Sequence, residues 1–517
     1  MQKFFNIAGP CNAGRHYMVS AIERNPSILP LIEEEQYFVI HAARQTGKTT
    51  LIKSLVNYLN AGDKYYGLYC SLEAAQVFTE PEVGIPYVFS IIKSAIGHSK
   101  LPHREDFGKK VNKEDVSTLI KDALVYFCEI LDRPLVIFFD EIDGLQNGTL
   151  ITFLRQLREG YINRPEVPFP FSIVLVGMRN IRDYKSKVRE NRVTLGSTSP
   201  FNIITKALTL SNFTMEEVRD LYAQHTKVTD QVFPKTVIQK VYDYTDGQPW
   251  LVNAIAREMV RELLKNDYSK TITPSLVDQA VKNIIIRRDT HIDSLLERLK
   301  EERIKKVIEP LITGKKLVLD FTDDDTQYCA DLGLIKISKG EIKPANKIYN
   351  EVIIRSLTSN TQSHLIQSIK NVWVNKDGTL DMSGLLKGFQ QFWRENSGIW
   401  EEKYQYKEAA PHLILQAFLQ RIINSGGDIA REYAANKDRM DLCVRYGTSK
   451  YPIEIKVHYD KNTVSDGLVQ LAGYMDTVGE STGWLVVFDR RKTKKWAEKI
   501  YWKPVKKEGK IIYIVGV

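Results

Sequence analysis

The sequence predicts an α/β chain in which a parallel sheet carries a phosphate-binding loop and a second, mixed α/β domain lies at the C-terminus. Three observations predict it. Gln36–His41 is a buried-type strand that runs through a glycine-containing loop into an apolar-periodic helix over Leu51–Leu59. Two further uniformly hydrophobic strands follow, Arg133–Asp140 and Phe171–Gly177. A separate strand, turn, strand, helix, strand succession occupies residues 439–489.

The chain of 517 residues exceeds what one core supports, so three or four domains are expected. A composition that is 43% hydrophobic and 26% charged is that of folded globular material and argues against long disorder. The net charge of +9 fits a polyanionic partner without requiring one. Five scattered cysteines contain no CxxC pair, and the histidines lack metal-ligand spacing, which argues against a zinc knuckle or disulfide framework. No secretory leader or membrane-length apolar run is present, so a soluble cytoplasmic protein with no membrane partner is expected.

The first element is the loop Ala42-Ala43-Arg44-Gln45-Thr46-Gly47-Lys48-Thr49-Thr50. Strand, loop and helix in succession are the context in which backbone N–H groups and a helix N-terminus wrap phosphates. Ala42, Gln45, Thr46, Gly47, Lys48, Thr49 and Thr50 are the candidate nucleotide contacts; Lys48 would reach the β- and γ-phosphates of ATP and Thr49 would ligate Mg²⁺. Ala42 stands where this loop ordinarily begins with glycine. The second element, Leu135–Asp140 followed by Glu141, Ile142 and Asp143, ends a hydrophobic strand in carboxylates. Asp140 would hold Mg²⁺, and Glu141 would orient or deprotonate the attacking water. The third strand is followed by Arg179 and Asn180, candidates for sensing the γ-phosphate.

Further along, Thr214-Met215-Glu216-Glu217 is a helix-start pattern. Gly247-Gln248-Pro249-Trp250-Leu251 then opens another helix, with glycine for the turn and proline at the first helical position. This combination resembles the STAND, archaeal-type branch of AAA ATPases. The resemblance covers residues 1–265. It implies an ATPase core over 1–205 and a helical lid over 206–265 whose helix at Pro249 covers the nucleotide. It also implies that Ala8-Gly9-Pro10 to Tyr17-Met18 lies near the adenine. Residues 266–357, helices followed by a tight hairpin at Leu334–Ala345, resemble the winged-helix domain that follows many such ATPases. The acidic run Asp323-Asp324-Asp325 would repel phosphate, so a packing role is expected for it ahead of DNA binding. Residues 358–400 read as a helical linker with aromatic anchors at Trp373, Phe389, Phe392 and Trp393.

In the C-terminal third, Glu408 begins an amphipathic helix, Asp441 lies on a strand, and Glu454 and Lys456 follow thirteen residues later on the next strand. Two residues apart on a strand, Glu454 and Lys456 share one face. Gln470 lies on the helix after that strand. Over 401–517 this order resembles the PD-(D/E)XK nuclease superfamily, a restriction-endonuclease-like fold, with Met440 in place of its proline. The resemblance implies that Asp441 and Glu454 bind Mg²⁺ or Mn²⁺ and that Lys456 positions water or stabilises developing charge. It also gives Glu408 and Gln470 supporting roles. Residues 490–510 hold ten Lys or Arg against two Glu, with Trp496, Tyr501 and Trp502 interleaved, a pattern suited to nucleic acid and equally to a solvated strand pair. The function expected from the whole is an ATP-regulated, Mg²⁺-dependent nuclease acting on nucleic acid, DNA ahead of RNA. Such an architecture resembles prokaryotic defence or mobile-element proteins. The rivals are an ATP-dependent DNA- or protein-binding switch with a non-cleaving scaffold, and a remodelling motor. A homo-oligomer stays open.

Overall fold

The computed structural model describes the chain apart from residues 1–2, 179–202, 288–289, 313–322, 339–340, 354–355, 357–372, 376, 404–413, 417, 420–426, 436–437, 459–462, 490 and 492–493. It divides into two compact units. The first comprises Met1–Leu295, Asp320–Ile337 and Pro344–Ile348; the second comprises Leu296–Leu319, Ser338–Lys343 and Tyr349–Val517.

The first unit holds a parallel sheet of β1 (Tyr37–His41), β2 (Tyr66–Ser71), β3 (Leu135–Asp140), β4 (Ser172–Gly177) and β5 (Ile204–Thr209). Its order is β2-β3-β4-β1-β5, and all four pairings are parallel. Every residue of β1, β3 and β4 is buried, which is why these strands read as unbroken hydrophobic runs. Alternate side chains serve the two faces. Phe38, Ile40, Val136 and Phe138 pack with Leu51, Ile52 and Leu55 of the helix Lys48–Ala61. Val39, Ile137 and Phe139 pack with residues of the helices Pro81–His98, Leu119–Ile130 and Asn147–Ile162. Val174 of β4 stands level with both Phe38 and Phe138, so β1 and β3 end at one edge with β4 between them. In open parallel sheets, ligands sit at that carboxyl edge.

Helices Met215–Thr229, Lys235–Thr245 and Pro249–Arg257 follow. The first starts in the capping box read from the sequence: Glu217 N donates to Thr214 Oγ1 at 3.2 Å, and Thr214 N donates to Glu217 Oε2 at 2.8 Å. Gly247 adopts φ +71°, and a Cβ there would collide with the carbonyl oxygen of Phe213. Phe213 N donates to Gly247 O at 2.8 Å. Gly247→Ala is therefore expected to destabilise this unit by about 1–3 kcal/mol, read as a lower midpoint of its thermal unfolding. An unchanged midpoint would show that the turn relaxes freely.

The acidic run has a structural explanation. Asp323 caps the helix Asp324–Asp331, accepting from Asp325 N at 3.1 Å, and Asp324 and Asp325 occupy its first turn, where negative charge complements the helix dipole. The expected hairpin is present as the two-stranded sheet of β6 (Ile335–Ser338) and β7 (Glu341–Pro344).

The second unit holds a mixed sheet of β8 (Gly427–Ala435), β9 (Asp438–Tyr446), β10 (Ser449–Val457), β11 (Thr482–Phe488), β12 (Tyr501–Lys507) and β13 (Lys510–Gly516), in the order β12-β13-β11-β10-β9-β8. Helix Thr463–Val478 connects the parallel neighbours β10 and β11. Its Leu471, Ala472 and Met475 pack on Leu485, Val487 and Ile512. Phe389 and Trp393 lie 5.9 and 5.1 Å from the ring of Phe488, whose side chain alternates with that of Val487. Gln390 Nε2 donates to Gly516 O at 2.6 Å. The helix Met382–Lys403, expected within a linker, thus packs into this unit's core. The basic tail forms the β12–β13 hairpin, turned by Glu508 (φ +52°) and Gly509 (φ +76°), the positive angles of a two-residue turn.

Candidate functional site

The loop after β1 carries the first candidate site. Gly47 has φ +98°, the left-handed region that favours glycine, and caps the helix that begins at Lys48. Gln45 also has positive φ, at +58°. Ala42 has none, and it is fully inside, its N donating to Gly177 O at 3.2 Å. An ordinary backbone conformation explains why alanine serves where glycine was expected. Lys48 is buried; its Nζ donates to Ala42 O at 2.8 Å and Ala43 O at 2.9 Å. Burial pushes its pKa down, and Glu141 and Asp140 act the other way.

Asp140 is held by three donors from three parts of the chain. Thr49 Oγ1 donates to Oδ2 at 2.9 Å, Tyr69 OH to the same oxygen at 3.2 Å, and Glu141 N to Oδ1 at 3.0 Å. The side-chain oxygens of Thr49 and Asp140 are thus adjacent, a hard-oxygen pair that fits Mg²⁺. Glu141 has φ +57° and faces the same cavity. Burial, then the neighbouring Asp140 charge, raises its pKa above the usual carboxylate value. Asp143 accepts from Met178 N, pinning the end of β4 beside this edge; the sequence offered Asp143 only as the third acid of the run. Arg179 and Asn180 lie outside the described residues.

These groups open on a cavity of about 450 Å³, within the range of small-molecule sites. The N-terminal segment forms another wall. Cys11 N donates to Thr50 Oγ1 at 3.0 Å, and Pro10, Tyr17 and Met18 face the cavity. The helix at Pro249 closes a further side: Gln248 Nε2 donates to Gln45 O at 3.4 Å, Trp250 Nε1 to Ile7 O at 2.8 Å, and Pro249 and Asn253 line the space. Behind the loop, His41 Nδ1 lies 3.9 Å from Asp331 Oδ1, and a Cβ on Gly333 (φ +73°) would press on Ala43.

In the second unit, Glu454 and Lys456 meet. Lys456 Nζ is 2.7 Å from Glu454 Oε1, with Glu454 2% and Lys456 25% exposed. Gly467 permits the covering helix to pass close by, since a Cβ there would come within 3.2 Å of Lys456 Cγ. Gln470 is exposed on that helix. The register of β10 with antiparallel β9 runs to the pair Ile453↔Leu442, so Glu454 and Asp441 each lie one residue beyond it. The side chain of Asp441 and all of Glu408 lie outside the described residues. Among the described residues, no three His, Cys, Asp or Glu side chains gather as metal ligands, and no helix is long and apolar enough to cross a membrane. Trp502 is half-buried, and its Nε1 donates to Gln390 Oε1 at 2.6 Å.

Residues 31–354 match the model of a family described as AAA-like domain. Residues 385–492 match one described as a domain of unknown function. An uncharacterised WD repeat-containing protein of Synechocystis is 24% identical over 406 residues, which is 73% of this chain and 32% of that protein. The chain therefore spans about a third of the length of the curated relative it matches. Among solved structures, a Walker-type ATPase of Pyrococcus abyssi is similar at 13% identity, over 68% of this chain and 99% of that one, with a TM-score of 0.47. The Orc1 protein of Aeropyrum pernix, solved with DNA, matches at 14% identity, over 70% and 96% of the two chains, with a TM-score of 0.34.

Proposed function

The chain belongs to the AAA-like domain family, and from that premise we propose that its first unit binds and hydrolyses ATP and thereby controls metal-dependent cleavage of nucleic acid, DNA ahead of RNA, by its second unit. One observation carries the first half: Lys48, Thr49 and Glu141 line one cavity, and Asp140, buried beside it, accepts from Thr49 Oγ1. Lys48 exchanges its two carbonyl acceptors for phosphate oxygens. Thr49 and Asp140 hold Mg²⁺, which when bound neutralises phosphate charge. Glu141 takes the proton of the attacking water, and its raised pKa brings it nearer to working pH. Only the carboxylate form accepts that proton, so turnover is expected to fall as pH drops through the raised pKa of Glu141. The pH–rate profile at saturating ATP measures this, and an acid limb unchanged in Glu141→Gln would assign it elsewhere.

The second half rests on the buried Glu454 carboxylate paired with Lys456. Asp441 and Glu454 would hold Mg²⁺ or Mn²⁺, which would supply an activated water and a polarised phosphoryl oxygen. Lys456 leaves Glu454 to stabilise charge on the phosphate; Glu408 and Gln470 support metal and substrate. Residues 266–357 act as a winged-helix-like packing module, a role consistent with Asp331 and Gly333 lying behind the loop.

The test is cleavage of plasmid, linear and branched DNA with Mg²⁺ or Mn²⁺, with and without ATP, beside Asp441→Ala. Cleavage lost in that variant is expected, with a rate that responds to ATP. Equal cleavage by both proteins would remove the assignment of Asp441. No cleavage by either would favour the switch.

A further inference from the structure

A second cavity lies in the first unit, on the far side of the N-terminal segment from the loop. Its volume is about 420 Å³, close to the first cavity's, and Tyr17 faces both. Its charge is one-sided: among the described residues Lys3, Arg257 and Arg261 line it, and no carboxylate does. Two nearby acids are engaged elsewhere: Asp267 accepts from Ser269 Oγ at 2.6 Å, and Glu258 accepts from Asn283 and Arg287 at 2.9 and 2.8 Å. Glu262 pairs with Arg261 at 3.7 Å without lining the space, with both side chains about half exposed, so a bound anion competes with it for Arg261. Burial, then the charge of Arg261, disfavours the charged form of Arg257, a cost that a bound anion would offset.

Five planar rings also line it: Phe4, Phe5, Tyr17, His225 and Tyr268. Burial lowers the His225 pKa, favouring the neutral ring. Gln231 Nε2 donates to Lys270 O at 2.8 Å, which leaves Gln231 Oε1 to accept from His225 Nε2 at 3.0 Å, and in that neutral form His225 Nδ1 accepts from Tyr17 OH at 3.3 Å. The backbone beside the cavity is irregular. The helix Pro249–Arg257 passes into a π-helical turn over Glu258–Leu263, a feature that recurs at functional sites. Lys265 and Asn266 then take consecutive left-handed conformations, φ +54° and +59°. Val260, Arg261 and Asn266 from this irregular stretch face the cavity. Neither residue is glycine, and such strain persists where surroundings impose it, often at ligand clamps.

We propose that this cavity is a second ligand site, distinct from the loop site, for a planar aromatic anion of mononucleotide size. The rings take its flat face, and Arg257, Arg261 and Lys3 take its anionic group.

The test uses the full chain carrying Lys48→Ala, which weakens the loop site, titrated calorimetrically with AMP, GMP, CMP and UMP. One equivalent of at least one nucleotide is expected to bind, about 10- to 100-fold more weakly when Arg261→Glu is added. Arg261→Glu with Lys48 intact must still bind ATP at the loop, which separates a lost site from a lost fold. Inorganic phosphate alone binding as tightly as the nucleotides would overturn the planar half of the proposal. Absence of saturable binding, or binding indifferent to Arg261→Glu, would overturn it entirely.

Discussion

Replacing Glu141 by glutamine is expected to lower ATP turnover about 10²–10⁴-fold, the usual contribution of a positioned base, with ATP binding kept. The side chain changes by one atom, so the contacts that hold the loop are preserved. Asp140 keeps the donations from Thr49 and Tyr69, and Lys48 keeps its place between loop and carboxylates. What disappears is the proton acceptor. Loss of the charge at position 141 also removes the largest opposite charge that sustains the buried Lys48 ammonium, so its pKa falls further. Fluorescent-nucleotide binding and phosphate release, measured on the same protein, separate the two effects. Turnover within a fewfold of the unmodified chain would remove Glu141 from the chemistry and leave the water to another group.

Lys456→Ala is expected to reduce metal-dependent phosphodiester cleavage about 10²–10³-fold, the scale of losing one preorganised charge at a developing oxyanion, while DNA binding persists. The variant strips the partner from a carboxylate that is 2% exposed. Lys456→Arg retains the charge and provides the control, because it separates the loss of a cation from the loss of the fold. Equal cleavage by Lys456→Ala and the unmodified chain would end the nuclease reading of this strand.

Much of the first site was legible because it is local. Gly47 and Lys48 stand at a strand-to-helix junction, and the chemistry needs a left-handed glycine followed at once by a helix N-terminus. The run Leu135–Asp140 announces itself because a strand covered on both faces is apolar at every position. The capping box at Thr214 closes within four residues. Other placements needed the structure: Asp323 caps the helix whose first turn holds Asp324 and Asp325, and the Trp502 N–H donates to Gln390. The strand β8 carried no sequence signal that was read, and the helix Met382–Lys403 looked like a linker because its aromatic face has no local partner.

By itself, the sequence determined the family of this chain's larger part, the loop that holds phosphate, and the carboxylates that end β3, since each depends on residues within one turn or strand of one another. The tertiary structure alone decided that β4 lies between β1 and β3, that Thr49 and Tyr69 reach one oxygen of Asp140, and that Cys11 closes on Thr50. It alone brought Lys3 and Arg261 to one ring-lined cavity. Those arrangements join positions tens to hundreds of residues apart, and such pairings are selected by burial of apolar surface and satisfaction of polar groups across the whole unit, which no local pattern encodes.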